Sequence, residues 1–240
     1  MIVSPKEIGV HQSFWELLEY DPKGFRLDWC SADDKKGDLE IAKYKGEAEF
    51  ARDTMVYCYQ GIGLMAQGLH RPYIARLLAM TADKLGLSVL DVGSGSGQLA
   101  LALHELGYAV SIADVWGQSI KFAAWRFRRR GIDIPVYILN SMPAVMIPSH
   151  HIVTCFDVLE HLAPDDQRSL LDFMGSIGEI VFANLVIDKK NTKVHKRVDP
   201  VAIADHLSRQ WGYELTDYYP DADGAPRQYL LIYGKGVVRP

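Results

Sequence analysis

The chain has little cysteine: three in 240 residues, Cys30, Cys58 and Cys155, and no C-x-x-C pair. That spacing excludes a zinc-ribbon or a disulfide framework, and free thiols suit a reducing compartment. No stretch approaches the roughly 18 apolar residues a membrane span needs. There is no excess of basic charge either: 26 Lys and Arg against 30 Asp and Glu leave a net charge of −4. A nucleic-acid partner normally demands a basic footprint, so none is expected. The opening MIVSPKEIGV carries an acid and a proline and lacks a signal-peptide pattern. Together these absences give a cytoplasmic location as the expectation. Internal repeats, low-complexity tracts and clusters of carboxylates spaced for a divalent metal are also missing, so no metal is expected.

What is present reads as a globular enzyme-sized chain, 48% apolar and 23% charged. The first 86 residues are rich in aromatics, among them Phe14, Trp15, Tyr20, Trp29, Tyr44, Phe50, Tyr57 and Tyr59. Helical spacing occurs over 13–20 and 38–59, and most clearly over 71–85, with Pro72 near the start and Gly86 just beyond the end. From Leu87 strand and helix patterns alternate, which implies a parallel sheet covered on both faces. Strands are expected at 88–92, 109–113, 136–139, 151–155, 179–183, 213–218 and 228–233. Helices are expected at 97–106, 118–130, 165–174 and 200–209. The crossover 140–150 contains Pro143 and Pro148 and is too short for a full helix. The turn-rich YPDADGAP joins the last two strands as an antiparallel hairpin. The expected fold class is α/β: a doubly wound, mostly parallel seven-stranded sheet (87–240) under an N-terminal helical cap or substrate lid (1–86).

The most telling stretch is VLDVGSGSG, residues 89–97, followed by the helix pattern QLALALHEL and, at the end of AVSIAD, by Asp114. An apolar strand ends in Asp91, and glycines follow at positions 93, 95 and 97. Glycines let the backbone turn sharply and let a ligand approach the main chain. The next helix offers unpaired N–H groups at its start. The second strand, 109–113, delivers Asp114 at its end, and a carboxylate there can accept both hydroxyls of a ribose. This pattern describes a nucleotide-type cofactor site. Gly95, Gly97 and Ala100 fit a dinucleotide G-x-G-x-x-A, which keeps an NAD-dependent oxidoreductase as an alternative.

Read as one string, D-x-G-x-G-x-G resembles the first motif of class I S-adenosylmethionine (SAM)-dependent methyltransferases. FDVLEHL, residues 156–162, directly after the apolar HHIVTC, resembles the family's segment after its fourth strand. The resemblance covers residues 87–233. It implies a Rossmann-like sheet of seven strands with the last antiparallel, SAM as cofactor and S-adenosylhomocysteine (SAH) as product. It further implies that Asp91, Gly93, Ser94, Gly95 and Gly97 back the methionine part of SAM, that Asp114 holds the ribose, and that Phe156 and Asp157 line the methionine. Val115 and Trp116 are placed to cover the adenine. Asn140, Ser141 and Met142 stand where the family often has an acid that touches the adenine amino group; here an amide and a hydroxyl replace it.

A sulfonium-bound methyl is already a strong electrophile, so the enzyme has mainly to set a nucleophile in line with it. A hydroxyl nucleophile also gains from a general base. His195, in the basic DKKNTKVHKRV that follows Asn184 and the fifth strand, is the first candidate. His161 is the second and Glu160 the third. The basic run 126–130 is read as complementing its helix dipole. The reading is a small-molecule methyltransferase, favouring oxygen. The stretch CFDVLEH lacks the N/D-P-P-Y that base-flipping methyltransferases carry there. A non-catalytic SAM-binding partner subunit is the alternative from another class. The acceptor and the oligomeric state are not legible.

Overall fold

The computed structural model describes residues 49, 52–53, 71–81, 86–139, 146–187, 196–219, 227–235 and 237. Their order is α1 (Arg71–Thr81), β1 (Ser88–Val92), α2 (Gln98–Glu105), β2 (Ala109–Asp114), α3 (Gln118–Arg129), β3 (Val136–Ile138), β4 (His150–Cys155), a 3-10 turn (Leu159–His161), α4 (Pro164–Ile177), β5 (Gly178–Ile187), α5 (Pro200–Ser208), β6 (Gly212–Tyr219) and β7 (Arg227–Gly234). The strands form one seven-stranded sheet in the order β3-β2-β1-β4-β5-β7-β6. The pairs β2–β3, β1–β4 and β4–β5 are parallel, whereas β7 runs antiparallel to both β5 and β6. The expected seven strands, closing antiparallel hairpin and four core helices are all present. Most of the expected cap, including the helices placed at 13–20 and 38–59, lies outside the described residues.

The described chain falls into two compact units. One is built chiefly from Ser94–Met146 and the other from Pro72–Gly93 with Ile147–Pro240. In the first, Val110, Ile112 and Ala113 of β2, Leu99, Leu101 and Leu103 of α2, and Ile120, Phe122, Ala123 and Phe127 of α3 are all buried. Full burial of each large side chain is worth about 1.5–3 kcal/mol.

In the second unit β5 is a near-continuous apolar run and β4 is buried at five of its six positions, as fits strands covered on both faces. Trp211 packs on Tyr233 with ring centroids 5.7 Å apart. A Cβ on Gly175 of α4 would lie 2.7 Å from the Trp211 ring, so that position requires glycine. Helix α5 starts at Pro200 behind Asp199, whose Oδ1 accepts the Val201 and Ala202 N–H groups, each at 3.1 Å. Helix α1, counted with the cap in the sequence reading, packs within this unit. The Tyr73 hydroxyl donates to Gln228 Oε1 at 2.5 Å, and Arg76 pairs with Glu214 at 2.8 Å.

Two boundaries differ from expectation in ways that matter for the site. β2 runs one residue further, so Asp114 is its last strand residue. β5 runs to Ile187 rather than stopping at Ala183, because its ladder with β7 continues as far as Ile187↔Arg227. Asn184 is therefore an interior strand residue, not the first residue after the strand.

Candidate active site

The candidate residues from Ser94 to Trp116 lie within the first unit. The Asp114 carboxylate accepts the Gly95 N–H at Oδ2 and the Val115 N–H at Oδ1, both at 2.7 Å. Burial pushes its carboxyl up to about 6, against the opposing pull of those two backbone donors. Gly97 N–H closes the loop onto the Ser94 carbonyl at 2.9 Å. Gly97 has φ 70, and a Cβ there would meet Phe127 Cζ at 2.5 Å, so conformation and packing both require glycine. Gly95, at φ 52, faces open space: a Cβ would have nothing within 4 Å among the described residues. The buried Ser94 and Ser96 hydroxyl oxygens have no hydrogen-bond partner among the described residues. Val115 is 47% exposed beside Asp114, and the Lys121 ammonium sits 4.9 Å from the Trp116 ring.

Arg126 lies in the last turn of α3 and is buried, at 3% exposure. Its guanidinium donates to the Ser96 carbonyl at 2.9 Å and to Gln98 Oε1 at 2.7 Å, and lies 5.3 Å from the Phe122 ring. Arg126 thus braces the glycine loop from α3. The legible signal was its spacing: it falls four residues after Phe122 and three after Ala123, on the apolar face. Arg128, Arg129 and Arg130 are exposed.

The second unit holds the other candidate residues. Asp91 is buried and pairs in register with Thr154 across β1 and β4, where the Thr154 hydroxyl donates to Asp91 Oδ1 at 2.8 Å. Gly93 has φ 70, and a Cβ there would overlap Val158 Cγ2. Phe156 is buried against Tyr73, ring centroids 5.1 Å apart. Asp157 has φ 56, the one left-handed residue other than glycine among those described. Asn184 clasps it twice: Asn184 Oδ1 accepts the Asp157 N–H at 2.7 Å, and Asn184 Nδ2 donates to Asp157 Oδ1 at 2.6 Å.

Glu160 sits in the 3-10 turn after β4. Its side chain is buried, with 3% exposure, and its Oε2 has no hydrogen-bond partner among the described residues. Burial, and then the neighbouring Asp157 charge, raise its carboxyl well above the usual carboxylate range. Its backbone carbonyl accepts the Lys196 N–H at 2.5 Å. His161, next in the turn, is half-buried. His195, Asn140, Ser141 and Met142 lie outside the described residues. Thr154, Asn184 and Arg126 were not singled out as site residues by sequence, because their roles depend on strand and helix neighbours far along the chain.

The donor set fits a nucleoside-bearing cationic cofactor. The Asp114 carboxylate at the end of β2 accepts from a glycine loop that has one open side and two serine hydroxyls with no hydrogen-bond partner among the described residues. The profile of the family described as "Methyltransferase domain" matches residues 89–177. Residues 89–177 thus form a methyltransferase domain. It is similar to the ubiquinone biosynthesis O-methyltransferase of Idiomarina loihiensis, 30% identical over 53% of this chain and 52% of that protein. The mitochondrial enzyme of the same description from Schizosaccharomyces pombe is 30% identical over 52% of this chain and 45% of its own. The chain thus spans about half the length of the curated relatives it matches. In fold it is similar to magnesium protoporphyrin IX methyltransferase from Synechocystis PCC 6803 with bound SAM, TM-score 0.59 at 17% identity over 89% of this chain and 97% of that one. TehB from Haemophilus influenzae gives a TM-score of 0.52 at 15% identity over 66% and 61%. With the methyltransferase domain, SAM rather than NAD is the cofactor. Among the described residues no helix is long and apolar enough to cross a membrane.

Proposed function

We propose that the chain transfers a methyl group from SAM to a hydroxyl oxygen of a small-molecule acceptor, with Glu160 as the proton acceptor. The observation that carries this reading is the Glu160 carboxyl: buried, with one oxygen unpartnered among the described residues, and raised well above an ordinary glutamate. Amines and thiols need little more than positioning, whereas a hydroxyl must lose its proton as it attacks. In its ionised form a carboxylate of raised pKa is a stronger base than a solvated one. Similarity to O-methyltransferases points the same way.

When bound, SAM supplies a methyl group made electrophilic by its sulfonium. In this reading the residues of the chain hold and orient. Asp114 accepts the ribose hydroxyls, and the loop from Gly93 to Gly97, with Asp91 behind it, carries the methionine part. Val115 and Trp116 cover the adenine, joined by Asn140, Ser141 and Met142. Phe156 and Asp157 line the methionine side. Residues 1–86, apart from α1, cap the acceptor and exclude water. His161 and His195 are the competing proton acceptors. The setting is cytoplasmic, with no nucleic acid as partner.

The test is SAH release from the full chain, measured against matched panels of phenols, aliphatic alcohols, amines and thiols. Turnover confined to hydroxyl acceptors is the expected result. Turnover with amines or thiols alone contradicts it. Tight SAH binding with no turnover on any panel indicates a SAM-binding partner subunit instead.

A further inference from the structure

Asn184 is a polar residue with 0% exposure, set between Ala183 and Leu185 in the middle of an otherwise apolar strand. An amide in that setting is unfavourable unless both its donor and its acceptor are satisfied. Both are satisfied by one residue, Asp157, at 2.7 and 2.6 Å. Asp157 is in turn held at φ 56, a conformation that side-chain-bearing residues rarely adopt without outside support. The turn that follows brings Val158 onto Gly93, buries Glu160 and presents the Glu160 carbonyl to Lys196. An isolated strand amide thus holds the one strained residue at the head of the segment that carries the buried carboxyl.

We propose that Asn184 is a positioning residue: its carboxamide clamps Asp157 in the left-handed turn and thereby seats Glu160 for proton transfer. The clamp needs an acceptor and a donor at the end of a short side chain. Asparagine supplies both, whereas an aspartate in its place would set two carboxylates face to face and a leucine would supply neither. The proposal rests on the reading of Glu160 as the base, but the clamp itself can be measured without turnover.

The experiment uses the full chain and compares wild type, Asn184→Leu, Asn184→Asp, and the reciprocal double variant Asn184→Asp with Asp157→Asn. In the double variant the carboxylate and the carboxamide trade places. The strand carboxylate then accepts the backbone N–H of the turn residue at one oxygen and that residue's new side-chain amide at the other. The clasp is rebuilt with its polarity reversed. Amide hydrogen exchange is read at Lys196 and His161, whose N–H groups bond to the Glu160 and Val158 carbonyls, and at Val153 in β4 as a reference. Asn184→Asp and Asn184→Leu are expected to speed exchange at Lys196 and His161 by about tenfold or more, with Val153 unchanged. The double variant is expected to return both amides to near wild type. Asn184→Leu suits an apolar strand, so it keeps the test decisive should Asn184→Asp fail to fold.

With the hydroxyl acceptor found in the turnover screen, Asn184→Leu and Asn184→Asp should lose kcat. Unchanged exchange at Lys196 and His161 in Asn184→Leu, or a double variant no better than Asn184→Asp, overturns the clamp. The expected exchange pattern with a Glu160→Gln enzyme of full activity leaves the clamp standing and overturns the reading of Glu160 as base.

Discussion

Gly93 and Val158 lie so close that a Cβ on Gly93 would overlap Val158 Cγ2. The first glycine of the loop is therefore fixed by packing against the turn after β4 as much as by its own φ of 70. Gly93→Ala is expected to cost about 1–3 kcal/mol from overpacking, with a further penalty of about 1–2 kcal/mol for a left-handed alanine. Denaturant melts of Gly93→Ala and of Gly93→Ala with Val158→Ala check this. The double variant should recover the packing part and retain the backbone part.

Asp114 makes cofactor binding depend on pH. Its carboxyl is raised to about 6 in the folded chain, so the folded state holds this proton where an unfolded aspartate has lost it. The associated stability is full below the unfolded pKa of about 3.9 and is lost as pH rises through about 6. Asp114→Asn should remove that part of the decline in melting temperature between those two values. Ribose hydroxyls donate to the ionised form and so favour it. SAH should therefore bind more weakly as pH falls through about 6, and its binding near that pH should release a proton. Calorimetry in two buffers of different ionisation heat reads that proton. Asp114→Ala should weaken SAH by about ten- to a hundredfold at neutral pH, the loss of one charged acceptor.

How much of this was legible follows from where each residue's partners lie. The glycine loop, Asp91 and Asp114 stand within one strand–turn–helix–strand run, and their roles could be read from spacing alone. The antiparallel hairpin was legible for the same reason. Asn184 was placed outside its strand because asparagine disfavours sheets and breaks the apolar run. Only the partner β7, more than forty residues on, carries the ladder past it. The burial of Glu160 was equally hidden: it depends on the left-handed turn at Asp157, which Asn184 holds from β5. Arg126 sat in a run of arginines whose other members are exposed, and only its helical position set it apart.

Arg126 should behave unlike its neighbours. Arg126→Ala strands the buried Ser96 carbonyl and is expected to cost about 1–3 kcal/mol, with weaker SAH binding as the glycine loop loosens. Arg128→Ala, at an exposed position, should stay within about 0.5 kcal/mol of wild type and bind SAH normally. Thermal melts with and without SAH separate the two.

Ligand-dependent stability checks the cofactor directly. A ligand bound only by the native state adds RT ln(1 + [L]/Kd), about 2.7 kcal/mol at a hundredfold excess over Kd. SAM and SAH should raise the melting temperature and NAD should leave it unchanged. A shift with NAD and none with SAM would remove the glycine loop and Asp114 from any SAM site.

The measurement that bears most directly on the whole account is the pH–rate profile of SAH release by wild type and Glu160→Gln with a hydroxyl acceptor. The account predicts that Glu160→Gln loses about a hundredfold or more in kcat, keeps wild-type SAH affinity and loses the acid limb of the profile. A Glu160→Gln enzyme with wild-type kcat and an intact limb, beside His161→Ala or His195→Ala variants that lose both, would contradict it and move proton removal to a histidine.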